Sequence, residues 1–326
     1  MIIHWAIAAF ITAILLWVWK IIGIKDMPNH RSAHASATPT AAGACLSFIF
    51  IGFYLTDQNF EPIPVTFILG LLLLTVIGFV DDWRELNYKT RLVSHILAVG
   101  MVLLWQDLSP AEYLVWFFIG VGLINACNFL DGLNGLLASQ WLLTTGFLLA
   151  SFAEFDSIFW ILWISVLIYL FFNFPKSHLF MGDTGSTILG FSYFAIIFYL
   201  APLQSEFPSL FISKDSFILF ALFPLAFAWG DVAFTIIRRF IDKRSVIASF
   251  GDYGFHHQAR FFKSHSLVTI TYLVLNGLLA FGAHFLFLNH QLIYVVCSPY
   301  LLMQILHMIF IFKIIKGNNV VTTNQP

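Results

Sequence analysis

Apolar runs about as long as a bilayer is thick recur along almost the whole chain. They fall at roughly 2–22, 41–56, 63–80, 92–106, 111–128, 136–153, 157–173, 187–203, 216–237, 267–288 and 291–312, where about 20 apolar residues suffice for one helical crossing. Only 10% of the 326 residues are charged and 60% are hydrophobic, against about 25% charged in a soluble domain. The chain therefore reads as an all-α polytopic membrane protein of about eleven transmembrane helices, ten being the alternative count. One transmembrane domain is expected over 1–316, followed by a short tail at 317–326. No internal repeat and no appended soluble domain is visible. The first run lacks a basic n-region and a small-residue cleavage site, so it reads as a retained helix. Cys45, Cys127 and Cys297 sit inside apolar runs and read as small core residues, not as a disulfide framework or zinc site.

The loops between these runs are not alike. With eleven crossings, all of the 16 Lys and Arg residues except Lys214 fall on one side. Basic residues mark the cytoplasmic side, which predicts an outside N-terminus and a cytoplasmic C-terminus. Acidic residues occur on both sides. Those outside, such as Asp57, Asp107 and Glu112, are scattered among ordinary turn residues. Those inside, Asp81, Asp82, Asp131 and Asp183, are embedded in Gly, Asn or basic residues. The polar chemistry thus gathers on one face, at the ends of several helices. The net charge of −1 identifies no partner, and no nucleic acid is expected.

Three stretches carry that chemistry. In "NACNFLDGLNG", Asn125 and Asn128 are three residues apart and share a helix face. The glycines after them let the backbone turn and a ligand come close. Asn and Asp supply hard oxygens suited to Mg²⁺, although the same residues also make a polar C-terminal cap. In "FMGDTGSTILGF", Asp183 lies between two glycines, and Ser186 is expected to open the next helix as its N-cap. A helix N-terminus favours an anion such as phosphate, and a carboxylate beside it makes sense if a divalent cation joins them. In "DDWRELNYKTR", Asp81 and Asp82 point about 100° apart on a helix, so they are expected to do different work. One would act on a metal or proton, and the other would hold a cation or the next loop. Lys89 and Arg91 would face one phosphate only if their segment is not yet regular helix.

The remaining stretches are less specific. "DMPNHRSAHASATPTAAG" reads as a basic loop containing Asn29, Arg31, Ser32 and His34. Arg238 to His265 is the most basic loop and holds the adjacent His256 and His257. It reads equally as a lipid-headgroup-facing stretch and as a substrate phosphate site. His4, His95, His284, His290 and His307 are expected to be structural. Asp231, inside an apolar run, is a weak functional candidate.

Taken in order, these loops resemble the polyprenyl-phosphate N-acetylhexosamine-1-phosphate transferase family over about residues 26–266. That family includes enzymes that start peptidoglycan, O-antigen, common-antigen and teichoic acid lipid intermediates in cell wall and lipopolysaccharide biogenesis. The resemblance implies transfer of a sugar-1-phosphate from a UDP-sugar to undecaprenyl phosphate, with UMP released, by a multi-pass enzyme of the inner membrane. Asn128 and Asp183 match its Mg²⁺ positions, with Mn²⁺ as a substitute. Asp81 and Asp82 match its essential acidic pair, and Asp131 another essential acid. Asn134 matches a position at the uracil end of the nucleotide, and Arg91 a basic position near the pyrophosphate, where Lys89 would add charge. Thr38–Gly43 matches a Thr-Pro-x-x-Gly-Gly turn, with Ala42 in place of the first Gly. In the late loop, Gly254 stands at the first position of a His-x-His-His pattern and His256 and His257 complete it. The three consecutive His of the muramoyl-pentapeptide branch are absent, which disfavours that donor. A homodimer is left open.

The rival class is a transporter, which would place polar groups near the midplane on interrupted helices, often with a repeat. Here they lie on loops of one side. The expected topology has a direct test in a cysteine-free background. Ser36→Cys and Ser245→Cys should be shielded from a membrane-impermeant maleimide in intact cells, while Ser213→Cys should label. Labelling of Ser36→Cys from outside reverses the orientation.

Overall fold

The computed structural model describes residues 2–27, 37–57, 60, 63–152, 157–201, 221–222, 226–245, 252–288 and 305–315. Asn29, Arg31, Ser32, His34, Lys214, Cys297 and the tail 317–326 lie outside the described residues. Helices dominate: α1 (Ile2–Ile22), α2 (Ala42–Thr56), α3 (Val65–Trp83), α4 (Tyr88–Leu103), α5 (Pro110–Leu130), α6 (Leu136–Phe152), α7 (Phe159–Asn173) and α8 (Gly182–Leu200). They continue with α9 (Ala226–Ile241), α10 (Gly254–Phe262), α11 (His265–Leu288) and α12 (Ile305–Ile315). Among the described residues, α1, α3, α5 and the His265–Gly282 part of α11 are long and apolar enough to cross a membrane. Helices α2, α6, α7 and α12 are apolar but shorter. The side chains that α1 and α5 expose include Phe10, Trp17, Leu114 and Phe118. Such a broad exposed apolar surface suits lipid, not water.

The centre of the assembly is α8. From Thr184 to Leu200 every residue but Tyr199 is buried, as expected of a helix apolar on all sides. It packs on α2, α3, α5 and α6. The approach is backbone to backbone where small residues face each other. A Cβ on Gly43 of α2 would lie 2.2 Å from the Gly185 Cα, and one on Gly78 of α3 would lie 2.5 Å from the Thr184 Cα. Membrane helices, which gain no hydrophobic drive from lipid, use small residues in this way to bring van der Waals surfaces together. The approach sets the first turn of α8 against the ends of α3 and α2.

Two short connections complete the frame. Lys25–Asp26 (β1) pairs antiparallel with Thr38–Pro39 (β2). Phe180 N–H then donates to the Pro39 carbonyl (2.8 Å), and the amides of Ala42 and Gly43 donate to the Phe180 (3.2 Å) and Met181 (3.0 Å) carbonyls. The Thr38–Gly43 turn thus braces the stretch of chain that enters α8. The stretch from Arg238 to His265, expected as a basic loop, contains the nine-residue helix α10. Its buried face is Gly254, Phe255, Gln258 and Ala259, a helical spacing hidden by the charges around it.

The close approach predicts an asymmetric response to added methyl groups. Gly43→Ala and Gly78→Ala should each lower the melting temperature in detergent, overpacking costing about 1–3 kcal/mol. Gly52→Ala, with nothing within 4 Å of the new Cβ, should be neutral or mildly stabilising. Equal behaviour of all three would contradict the packing.

Candidate active site

The ends of α3, α5 and α8 and the start of α4 converge on one cluster. Asp183, in the first turn of α8, accepts from Asn128 Nδ2 of α5 at 2.5 Å and from Arg91 Nη1 of α4 at 2.9 Å. The same Arg91 nitrogen reaches Asp81 Oδ2 of α3 at 3.1 Å, and Asp81 Oδ1 accepts from the Leu86 amide at 2.6 Å. The carboxylates of Asp81 and Asp183 thus share one nitrogen of Arg91. Two carboxylates this close need a proton or a cation between or beside them, and in the structure the guanidinium of Arg91 joins them. The side chain of Asp81 is 2% exposed and that of Asp183 is 31% exposed, so a solvent-borne cation meets Asp183 first.

Asp82 faces another way. It accepts from the amides of Asp183 (2.7 Å) and Thr184 (3.2 Å) and from Thr184 Oγ1 (2.5 Å). It is thus the N-terminal cap of α8, supplied by α3. Gly182, at φ 73°, adopts a left-handed conformation that only glycine takes without cost, and a Cβ there would lie 2.2 Å from Asp82 Oδ2. Two expectations are corrected here. Ser186 is not the N-cap: α8 begins a turn earlier, and the Ser186 hydroxyl instead accepts from Asn128 Nδ2 at 3.0 Å. The α8 amides are not open to a phosphate, because a carboxylate already satisfies them.

The remaining residues divide. Asp131 is the C-cap of α5, and its carboxyl accepts no hydrogen bond from any described residue. Burial, and then the negative field of Asp183 and Asp82, holds it well above the usual carboxylate range. Asn134 donates to the Pro175 carbonyl (3.2 Å), and its own carbonyl accepts from Thr269 of α11 (2.9 Å). Asn125 is turned to its own helix, donating to the Val121 carbonyl at 2.7 Å, so it does not join Asn128 at Asp183. Lys89 and Arg91 lie on a regular helix that starts at Tyr88, and only Arg91 points into the cluster. Lys89 is exposed. One buried residue was not anticipated. Asn173 accepts from the Gly135 amide (2.6 Å) and donates to the Leu179 carbonyl (2.9 Å), tying the turn after α5 to the chain entering α8. An amide ending an apolar run was the available signal.

The convergence of these four helix ends is the part of the chain that comparison with other proteins picks out. The profile of glycosyl transferase family 4 matches residues 64–201, which hold Asp81, Asp82, Arg91, Asn128, Asp131 and Asp183. Over that segment the chain is similar to glycosyl transferase family 4. It is 24% identical over 250 residues to an undecaprenyl-phosphate alpha-N-acetylglucosaminyl 1-phosphate transferase of Thermotoga maritima, covering 73% of this chain and 74% of that one. It is 28% identical over 287 residues to a probable undecaprenyl-phosphate N-acetylglucosaminyl 1-phosphate transferase of Bacillus subtilis, covering 81% and 78%. A phospho-N-acetylmuramoyl-pentapeptide-transferase of Thermotoga petrophila is 28% identical over 233 residues, covering 60% and 74%.

The family profile stops before α10, yet α10 closes one side of the same turn. A Cβ on Gly132 would lie 2.6 Å from His256 Nε2, so the imidazole rests directly on the backbone next to Asp131. Burial, and then the Arg260 charge, lowers the pKa of His256 to about 3 and that of His257 to about 4. Both rings are therefore neutral at physiological pH. In the unfolded chain they take up protons near pH 6.5. The stability present above pH 6.5 is thus lost as pH falls toward 4. The melting temperature of the wild type should drop more steeply between pH 6.5 and 4.5 than that of the His256→Asn/His257→Asn double variant. Parallel curves would refute the buried, neutral state of the pair.

Proposed function

We propose that this protein transfers an N-acetylhexosamine-1-phosphate from its UDP-sugar to undecaprenyl phosphate, releasing UMP, at the cytoplasmic face of the membrane. The observation that carries the reading is the meeting of Asp81, Asp183, Asn128 and Arg91 at one membrane-helix end, within the segment shared with the family. The names of the relatives support the acceptor and the type of group transferred. The apolar exterior supports it too, because one substrate is a lipid and the other is water-soluble.

The chemistry follows from charge. Donor pyrophosphate and acceptor phosphate are all anions, and their repulsion opposes attack. Asp183 and Asn128 form a hard-oxygen donor set suited to Mg²⁺, which takes one or two carboxylates and completes its shell with phosphate oxygens and water. When bound, the ion supplies charge neutralisation to the pyrophosphate and the departing UMP. Arg91 adds a fixed cation beside it. An oxygen of the acceptor phosphate attacks the phosphorus that bears the sugar, and the bond from that phosphorus to the bridging oxygen breaks toward UMP. A phosphate monoester, with its second pKa near about 6, is largely dianionic at neutral pH and needs no strong base. This agrees with Asp81 and Asp82 being held in hydrogen bonds. Their work is to hold Arg91 and the first turn of α8. Asp131, with an open carboxyl, is the acid left to contact substrate, and the neutral His256 rests on the same turn.

Purified protein supplied with radiolabelled UDP-N-acetylhexosamines and undecaprenyl phosphate should form labelled lipid and release UMP in equal amounts. A UDP-muramoyl-pentapeptide donor should be poor. Asp183→Asn keeps the shape and removes the charge, so turnover should fall at least about a hundredfold, each tenfold being about 1.4 kcal/mol. Asn128→Ala should raise the Mg²⁺ requirement and recover in part with excess metal. A folded Asp183→Asn protein with normal turnover at limiting Mg²⁺ would sink the reading.

A further inference from the structure

The two helices that bring residues to the site from outside α3–α5 begin in the same way. Helix α8 starts at Gly182, with Asp82 of α3 on its first amides. Helix α10 starts at Gly254, and the carboxylate on its first amides comes from α9. Asp231 is fully buried. Its Oδ1 accepts from the Gly254 amide at 2.8 Å, and its Oδ2 from the Phe255 amide at 2.7 Å and from Tyr272 Oη of α11 at 2.7 Å. A Cβ on Gly254 would lie 2.2 Å from Asp231 Oδ1, so glycine is required where the carboxylate sits, as at Gly182. Tyr272 is in turn held by Gln258 Nε2 of α10 (3.1 Å) and lies 3.1 Å from His307 Nε2 of α12. One buried carboxylate thus ties four helices together.

What this holds in place is His256. Phe255, whose amide donates to Asp231, packs its ring at a tilt against His256 with centroids 4.4 Å apart. Tyr253, just before the helix, stacks on Phe255 (5.5 Å) and on Phe129 of α5 (5.3 Å). His256 rests on Gly132, and its Nδ1 is buried with no hydrogen-bond partner among the described residues. The start point of α10 decides its helical phase, and the phase decides whether residue 256 faces the Asp131–Gly132 turn. We propose that Asp231 is the positioning residue of the candidate active site: by capping α10 it fixes the register that lays His256 on the turn carrying Asp131. The structural part of this stands on geometry alone, and its kinetic consequence rests on the proposed sugar-phosphate transfer.

The test uses the full-length protein in nanodiscs and two readouts. The first is the rate of carbethoxylation of His256 by diethyl pyrocarbonate, followed by peptide mass spectrometry, with exposed His178 as internal reference. In Asp231→Asn, whose amide presents a donor to the α10 amides, His256 should react at least about fivefold faster while His178 is unchanged. The second is steady-state kinetics. The kcat/KM for the UDP-sugar should fall by about a hundredfold, the scale on which a misplacement of about 1 Å acts. The KM for the UDP-sugar should rise while that for undecaprenyl phosphate holds; a smaller folded fraction would lower kcat and leave both KM values unchanged. If Asp231→Asn cannot be recovered folded, Gly254→Ala, which pushes a methyl onto the carboxylate, decides by the same criteria. Wild-type His256 reactivity and wild-type donor kinetics in the folded variant would overturn the proposal. Faster His256 reaction in the variant, together with a wild type that transfers no sugar phosphate, would leave the positioning intact and overturn the reading of the reaction.

Discussion

The burial of α8 at the centre of the assembly is the constraint from which the rest follows. A helix with almost no surface left for lipid or water must have its first-turn amides satisfied from inside the protein, because an unpaired amide in a low-dielectric interior costs about 1–3 kcal/mol. Its own sequence offers no cap. Asp82 supplies one from α3, and can do so because Gly78, Gly43 and Gly185 let three backbones meet. The helix end that carries Asp183 is therefore fixed by a carboxylate that is not itself free for other work.

That arrangement concentrates negative charge. Asp81, Asp82, Asp131 and Asp183 gather where the helices end, and the structure offsets them with Arg91 and with backbone donors. Asp81 and Asp82 are adjacent in the chain, yet one joins the cation network and the other closes a helix. The roughly 100° between neighbouring side chains on a helix is enough to separate their roles. The cluster is left with a deficit of positive charge on the side where Asp183 is exposed. In the proposed reaction, that side is where an ion and the phosphates of two substrates would meet.

The same device appears a second time at α10, where Asp231 caps a helix from α9 and Gly254 makes room. A remote carboxylate on a glycine-led helix sets the angle at which a short helix leaves the bundle. A cap made by the helix's own residues would leave that angle to the loop. For a site assembled from several helix ends, this transmits the rigidity of the bundle to the side chains that line the turn.

Much of this was legible in the chain alone. Hydropathy marks each described helix from α1 to α9, because a membrane segment must be apolar over its length whatever it packs against. The different work of Asp81 and Asp82 was readable from helical phase, whereas Asn128 and Asp183 were brought together only by the family resemblance. What failed were inferences about who satisfies whom. Ser186 looked like a cap, the α8 amides looked open to phosphate, Asn125 looked like a partner of Asn128, and α10 looked like a loop. Each depends on a contact between residues far apart in sequence, such as Asp82 with Thr184 or Asp231 with Gly254. The physical reason is that local pattern fixes which backbone groups need partners, whereas only the packed structure decides which distant side chain reaches them first.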